Sequence, residues 1–472
     1  MEIKSAELAR YSEDFLLQSQ MGKRLFYEVA KDLPIIDYHN HLCPQDLATN
    51  RQFKNLAEAW VLHDPYKHRA MRICGVPEQQ ITGDASDESK FMHWAKTLPK
   101  TIGNPLHLWS AMELKEVFDL DESLNEHNAR EIWDRCNELL QQPGYGAMDM
   151  LRQFKVEKLC TSDVLLDDLE AHQKASKFHG ISVLPSLRGD AILAVDTPDF
   201  DNWLQKLQHA TQVVITSLDH YKHAISVKLN DFDSAGCCLA DHSLDAGFVF
   251  LPTTAASAQA IFKKLVQKDQ VSVQELSVIK NHLLEFLGKE YARRNWVLQL
   301  HIGAQRFTSS RLRKLAGPAG GYAGMGFACD IRGLAQLIDR MELEGLLPKT
   351  ILFTLNPVDN EAFATLTGSY AQDGIVAKIQ FGPAWWYNDQ YHGIIKHLQD
   401  IASFGLLSQF IGMTTDSRSV FSFSRHEYFR RILCDQIGTW VAQGVMPADE
   451  SLLAQLVKDI AYFNSKQWIF NE

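Results

Sequence analysis

Short apolar runs, each closed by a polar or ionisable residue and most followed by a helix-length stretch, recur along the chain. Eight read as strands: Leu33–His41 (LPIIDYHNH), Glu157–Asp163 (EKLCTSD), Ile181–Arg188 (ISVLPSLR), Ala224–Asn230 (AISVKLN), Trp296–Ala304 (WVLQLHIGA), Thr350–Asn356 (TILFTLN), Ile375–Phe381 (IVAKIQF) and Phe410–Asp416 (FIGMTTD). Strands alternating with helices in this way predict an α/β fold, a closed parallel (β/α)8 TIM barrel.

Spacing along the series is uneven. The interval from 42 to 156 far exceeds one crossover helix. Within it, residues 45–150 have helical periodicity, clearest over Ala129–Leu140, and loop signals at Asn104-Pro105 and Pro143-Gly144. The expected division is therefore residues 1–44 (an N-terminal helix and the first strand), 45–150 (a helical subdomain over the barrel mouth) and 151–472 (the remaining barrel and C-terminal helices). A second long interval before Trp296 holds Asp241-His242 and a helix-like stretch, Val273–Arg293.

Composition narrows the function classes. Of 472 residues, 46% are hydrophobic and 22% charged, as in ordinary globular proteins. A net charge of -11 repels nucleic acid and anionic membranes, so neither is expected as a partner. The eight cysteines lack zinc-ribbon spacing and disulfide-scaffold density, and read as reduced thiols. With no signal-peptide core in MEIKSAELARYSEDFLLQSQ and no apolar stretch of about 18 residues, a cytoplasmic location is expected.

His39-Asn40-His41 ends the first run. Residues i and i+2 of a strand share a side and can ligate one ion, and barrel enzymes place their chemistry at the C-terminal ends of strands. Asp416 ends the eighth run, which adjoins the first when a barrel closes. Two imidazoles and a carboxylate suit Zn2+ or another divalent ion; the competing reading is that Asp416 caps the following helix. His301, ending the fifth run, is a candidate ligand, acid/base group or hydroxyl contact. Arg188 ends the third run, and Arg306 and Arg418 follow the fifth and eighth, matching positions that suit a carboxylate or phosphate.

Tyr66, in the helical insertion, is either a proton shuttle or a small-core aromatic. Trp385, in Trp385-Trp386-Tyr387-Asn388-Asp389, offers a surface for a sugar face or acts as a loop wedge. The glycine-rich stretch Ala316–Phe327 lacks the context of a dinucleotide fingerprint and reads as a mobile flap ending near Asp330. No nucleotide or redox cofactor is expected.

Six segments closely resemble one family: IIDYHNHLCP (35–44), YKHRAMRICGV (66–76), NPLHLWSAMEL (104–114), LQLHIGAQR (298–306), FGPAWWYNDQ (381–390) and GMTTDSRSVFSFSRHEYFRR (412–431). In this order they resemble the uronate (glucuronate) isomerases, a branch of the amidohydrolase superfamily, almost end to end. The resemblance implies a barrel with a helical insertion. It implies interconversion of D-glucuronate with D-fructuronate and of D-galacturonate with D-tagaturonate, in hexuronate catabolism. His39, His41 and Asp416 match the family's metal positions; Tyr66, Arg188, Asp241, His301, Arg306 and Arg418 match its active-site positions. Departures occur at Thr161-Ser162-Asp163-Val164, where Thr-Thr-Asp-Asp is more usual, at Gly189, where proline often follows the arginine, and in the 316–330 loop.

Such an isomerisation proceeds through ring opening, loss of the C2 proton and return of a proton to C1 through an enediol. Tyr66, His301 and Asp416 are the candidates for moving protons. A metal-dependent hydrolase on the same scaffold, with the strand-eight aspartate accepting a proton from water, is the alternative. A catalytically silent sugar-acid binder is the third reading. Self-association into a homo-oligomer is expected.

Overall fold

The computed structural model describes residues 11–176 and 180–472. The first ten residues of the expected N-terminal helix lie outside these. Among the described residues seven parallel strands form one sheet in chain order: β1 (Ile35–Asn40), β2 (Val156–Val164), β3 (Ser182–Arg188), β4 (Leu239–Leu244), β5 (Val297–Ile302), β6 (Thr350–Thr354) and β7 (Ile379–Phe381). β1, β5, β6 and β7 are buried at every position, as expected of a parallel sheet covered on both faces. Because the strands are parallel, their last residues gather at one end of the sheet.

Of the expected Ile375–Phe381 only Ile379–Phe381 is strand, and two other expected strands differ more. Ala224–Asn230 is the interior of the helix Leu218–Ser234, capped by the Ser217 side chain. Its alternation hid a helical stripe, Leu218, Tyr221, Ala224, Ile225, Leu229 and Phe232, all buried. The fourth strand lies just beyond it, at Leu239–Leu244, and carries Asp241. β4 pairs with β3 only through Leu187 with Ala240 and Arg188 with Asp241, which sets that arginine beside that aspartate.

The eighth run, Phe410–Asp416, forms no strand. Gly412 and Asp416 both take left-handed backbone conformations, with φ of 71° and 47°, and these break a ladder. The segment is still fastened along β1: Asp416 N–H donates to the His39 carbonyl at 3.0 Å and His41 N–H to the Ser417 carbonyl at 2.7 Å. A buried knot reinforces this. Asp37 accepts the Thr415 N–H at 2.8 Å, the Asn40 side-chain N–H at 3.0 Å and the Thr414 hydroxyl at 3.2 Å, and pairs with His426 at 2.9 Å.

Between β1 and β2 the chain is helical, including Leu56–Trp60, Pro65–Ile73, Asp87–Thr97, Pro105–Phe118, Ala129–Leu140 and Ala147–Gln153. The glycine-rich segment pairs Gly324–Met325 antiparallel with Ala304–Gln305. It is tied to the inserted helices by Arg69 Nη1 donating to the Ala323 carbonyl at 3.0 Å, and by Gly321, where a Cβ would collide with the Pro65 carbonyl. No described helix is long and apolar enough to cross a membrane.

Candidate active site

A cavity of about 980 Å³ opens where the strand ends meet the inserted helices. That volume lies at the upper end of small-molecule sites. His39, His41, Tyr66, Arg188, Asp241, His301, Arg306, Trp385, Asp416 and Arg418 all line it. Every residue singled out from the sequence is thus brought to one chamber.

Strand alternation sorts the first motif. His39 and His41 face the cavity, whereas Asn40 turns into the Asp37 knot. His39 Nε2 lies 3.5 Å and His41 Nε2 2.9 Å from the same oxygen of Asp416, Oδ1. The other oxygen, Oδ2, accepts the indole N–H groups of Trp385 at 2.9 Å and Trp386 at 2.6 Å. Burial alone would raise this carboxyl. The closely placed His41 imidazole, with the charges of His39 and His301, instead holds it well below the usual range. The tryptophans therefore spend their N–H groups on Asp416. Asp416 caps no helix; the turn that follows is capped by Ser419.

His39 also belongs to a second cluster with Asp241 and His301. His301 Nδ1 is 3.8 Å from Asp241 Oδ2, and the His301 ring stacks on Phe353 at 4.5 Å. Burial, together with His39, pushes His301 well below its usual value, so it is a neutral imidazole. Burial pushes Asp241 up to about 6 against the pull of His39 and Arg188. His39 Nδ1, His301 Nε2 and Asp241 Oδ1 are buried with no hydrogen-bond partner in the protein. Unpaired buried polar atoms are costly, and imidazole with carboxylate is borderline-metal chemistry. His39, His41 and Asp416, with ligand atoms mutually within 4.8 Å, fit a divalent ion.

Three arginines, Arg188, Arg306 and Arg418, line the chamber. Arg188 Nε donates to Asp190 at 3.2 Å; Arg306 donates to Asp245 at 2.7 Å and to the Ser243 hydroxyl at 2.9 Å, and lies over the Trp386 ring. Burial lowers the Arg418 guanidinium, with Asp416 opposing and Arg188 adding to the effect. Arg188 and Arg306 are thus each balanced by a neighbouring aspartate.

Tyr66 enters from the inserted helix Pro65–Ile73, whose start is fixed by Pro65 and by Asp64 accepting the Tyr66 N–H at 2.8 Å. Its hydroxyl donates to Asp389, 3.0 and 3.1 Å from the two carboxylate oxygens, and accepts the Tyr387 N–H at 3.1 Å. Burial, and then the Asp389 charge, raises this phenol well above its usual value. Reasoning from sequence passed over Asp389 and its partner Arg425, although both stand in the quoted segments, because neither ends a strand run. Gly189 also gains a reason: its N–H donates to the Asp241 carbonyl at 2.9 Å, which proline could not do, and a Cβ would collide with the His242 ring.

Comparison with known proteins shows the family. A sequence profile of the glucuronate isomerase family matches residues 8–469. A uronate isomerase of Caldanaerobacter subterraneus subsp. tengcongensis is 42% identical over 459 residues, covering 97% of this chain and 98% of that protein. One of Mannheimia succiniciproducens is 43% identical over 460 residues, covering 97% and 98%. The crystal structure of a uronate isomerase from Thermotoga maritima superposes with a TM-score of 0.91 at 32% identity, covering 97% of this chain and 99% of that one. With matches of this length on both sides, the chain belongs to the glucuronate isomerase family.

Proposed function

We propose that this protein is a uronate isomerase converting D-glucuronate to D-fructuronate and D-galacturonate to D-tagaturonate, in the cavity bounded by His39, His41 and Asp416. The observation that carries the reading is the convergence of that donor set with three arginines on one chamber, in a chain of this family. The finer architecture belongs to the same reading: a (β/α)8 barrel completed by the 410–416 segment, with residues 45–150 as a helical subdomain over its mouth.

His39, His41 and Asp416 would hold one divalent ion per subunit, Zn2+ being the choice for this donor set, and the bound ion would polarise substrate oxygens. Arg188, Arg306 and Arg418 bind the substrate carboxylate and offset negative charge that develops as the enediol forms. Asp241 accepts a sugar hydroxyl, and Trp385 walls the sugar's position beside His301. The protonation states divide the remaining work. Tyr66 keeps its proton at neutral pH, His301 is neutral and Asp416 is ionised. Asp416 and His301 are therefore the acceptors for the C2 proton, while Tyr66 carries protons between substrate oxygens. The proton leaves C2 as the C1–C2 double bond forms, and returns to C1 as the C2 carbonyl forms; no electrons are gained or lost overall.

The test is to incubate the purified protein with each hexuronate separately and follow the ketose by NMR. Ketose from either acid supports the reading. Consumption of a lactone or amide, with neither hexuronate isomerised, would replace it with the hydrolase alternative.

A further inference from the structure

Tyr66 lines the large cavity and Asp389 does not; Asp389 lines a smaller chamber of about 30 Å³ that shares His39, His301, Trp385, Trp386, Asp416 and Arg425 with the large one. Three hydrogen-bonding positions around the Tyr66 oxygen can be accounted for. Its hydrogen goes to Asp389 and one lone pair takes the Tyr387 N–H, from a residue held at φ 64°. One lone pair remains for the cavity. The ring is bracketed edge-on by Trp109 at 5.8 Å and Tyr387 at 6.0 Å, so the phenol has little freedom to turn. Asp389 is fixed in turn by Arg425, whose Nη1 donates to it at 3.1 Å while Nη2 donates to the Thr415 carbonyl at 2.7 Å.

From this geometry we infer that Asp389 is a positioning residue for the isomerisation: it draws the Tyr66 hydrogen away from the cavity, so that Tyr66 meets the substrate as a proton acceptor. When a substrate hydroxyl gives its proton to the Tyr66 oxygen, the phenolic hydrogen passes to the Asp389 carboxylate, whose charge Arg425 has balanced. Reversal returns the proton through Tyr66 to the neighbouring substrate oxygen. One proton enters and one leaves, and nothing else is consumed. The inference rests on Tyr66 acting as the proton carrier.

Asp389→Asn, Tyr66→Phe and the double variant separate the possibilities, with kcat and KM for D-glucuronate as the readout. Asparagine can accept a hydrogen bond but cannot take a proton. Asp389→Asn should lower kcat on the order of 100-fold with KM changed less than about three-fold, and should change kcat less than about three-fold in the Tyr66→Phe background. Asp389→Glu should recover part of the loss, and it serves the same comparison if the asparagine variant does not fold. An undiminished kcat in Asp389→Asn, or a loss that multiplies with that of Tyr66→Phe, overturns the inference while leaving Tyr66 in place. Full activity in Tyr66→Phe would instead remove the proton-carrier reading, and the inference with it.

Discussion

His41 Nε2 stands 2.9 Å from Asp416 Oδ1, joining the end of the first strand to a carboxylate near the end of the chain. The contact links the two ends of the proposed metal donor set. Replacing His39 and Asp416 together by alanine should strip the bound divalent ion, as read by elemental analysis, and lower turnover by about 10²–10⁴-fold. Unchanged metal content would remove His39 and Asp416 from the ligand assignment.

Trp386 donates its indole N–H to Asp416 Oδ2. Phenylalanine there keeps an aromatic ring beneath Arg306 but removes that donor and part of the indole's bulk. A hydrogen bond to a charged group contributes about 1.5–3 kcal/mol, so Trp386→Phe should reduce kcat/KM roughly ten-fold or more if the bond holds the carboxylate in its reacting position. A variant as active as the parent would show that Trp385 alone suffices.

The pH profile follows from Asp389. Burial pushes this carboxyl up to about 6, while Arg425 pulls it down. Below that value it is protonated and cannot take the Tyr66 proton, so kcat should fall as pH drops through about 6, a range in which Asp241 also titrates. Removing the cation in Arg425→Gln raises the carboxyl further, and the acid limb should move to higher pH. A limb that stays put or moves down would show that another group sets it.

Asp37 has no solvent exposure and serves four partners from β1, the 414–415 segment and the helix beginning at Arg425. Asp37→Ala leaves His426 and the Thr415 N–H buried without their acceptor. Two buried groups left unsatisfied at about 1–3 kcal/mol each imply a loss of about 2–6 kcal/mol in urea unfolding. A loss below about 1 kcal/mol would mean that the knot does not hold this end of the sheet.

Much of the site was legible because parallel strands deliver their last residues to one place. His39, His41, Arg188 and His301 could be named from apolar runs with polar ends. Asp416 was legible for its place at the end of a run, although its left-handed backbone shows that the run is no strand. Asp241 was reached through family resemblance alone, because Ala224–Asn230 satisfies strand alternation and a helical stripe at once. Choosing between them requires knowing which face packs. Asp389, Arg425, Asp37 and His426 stayed hidden for a different reason: their roles arise from contacts between distant segments, and spacing along one element carries no trace of those.

The most direct measurement uses D-glucuronate deuterated at C2 and follows both label and product by NMR. If this chamber isomerises hexuronates through an enediol, each molecule consumed becomes the ketose and its deuterium leaves C2. Consumption of substrate with deuterium still at C2, or no consumption by metal-loaded protein, would contradict the account.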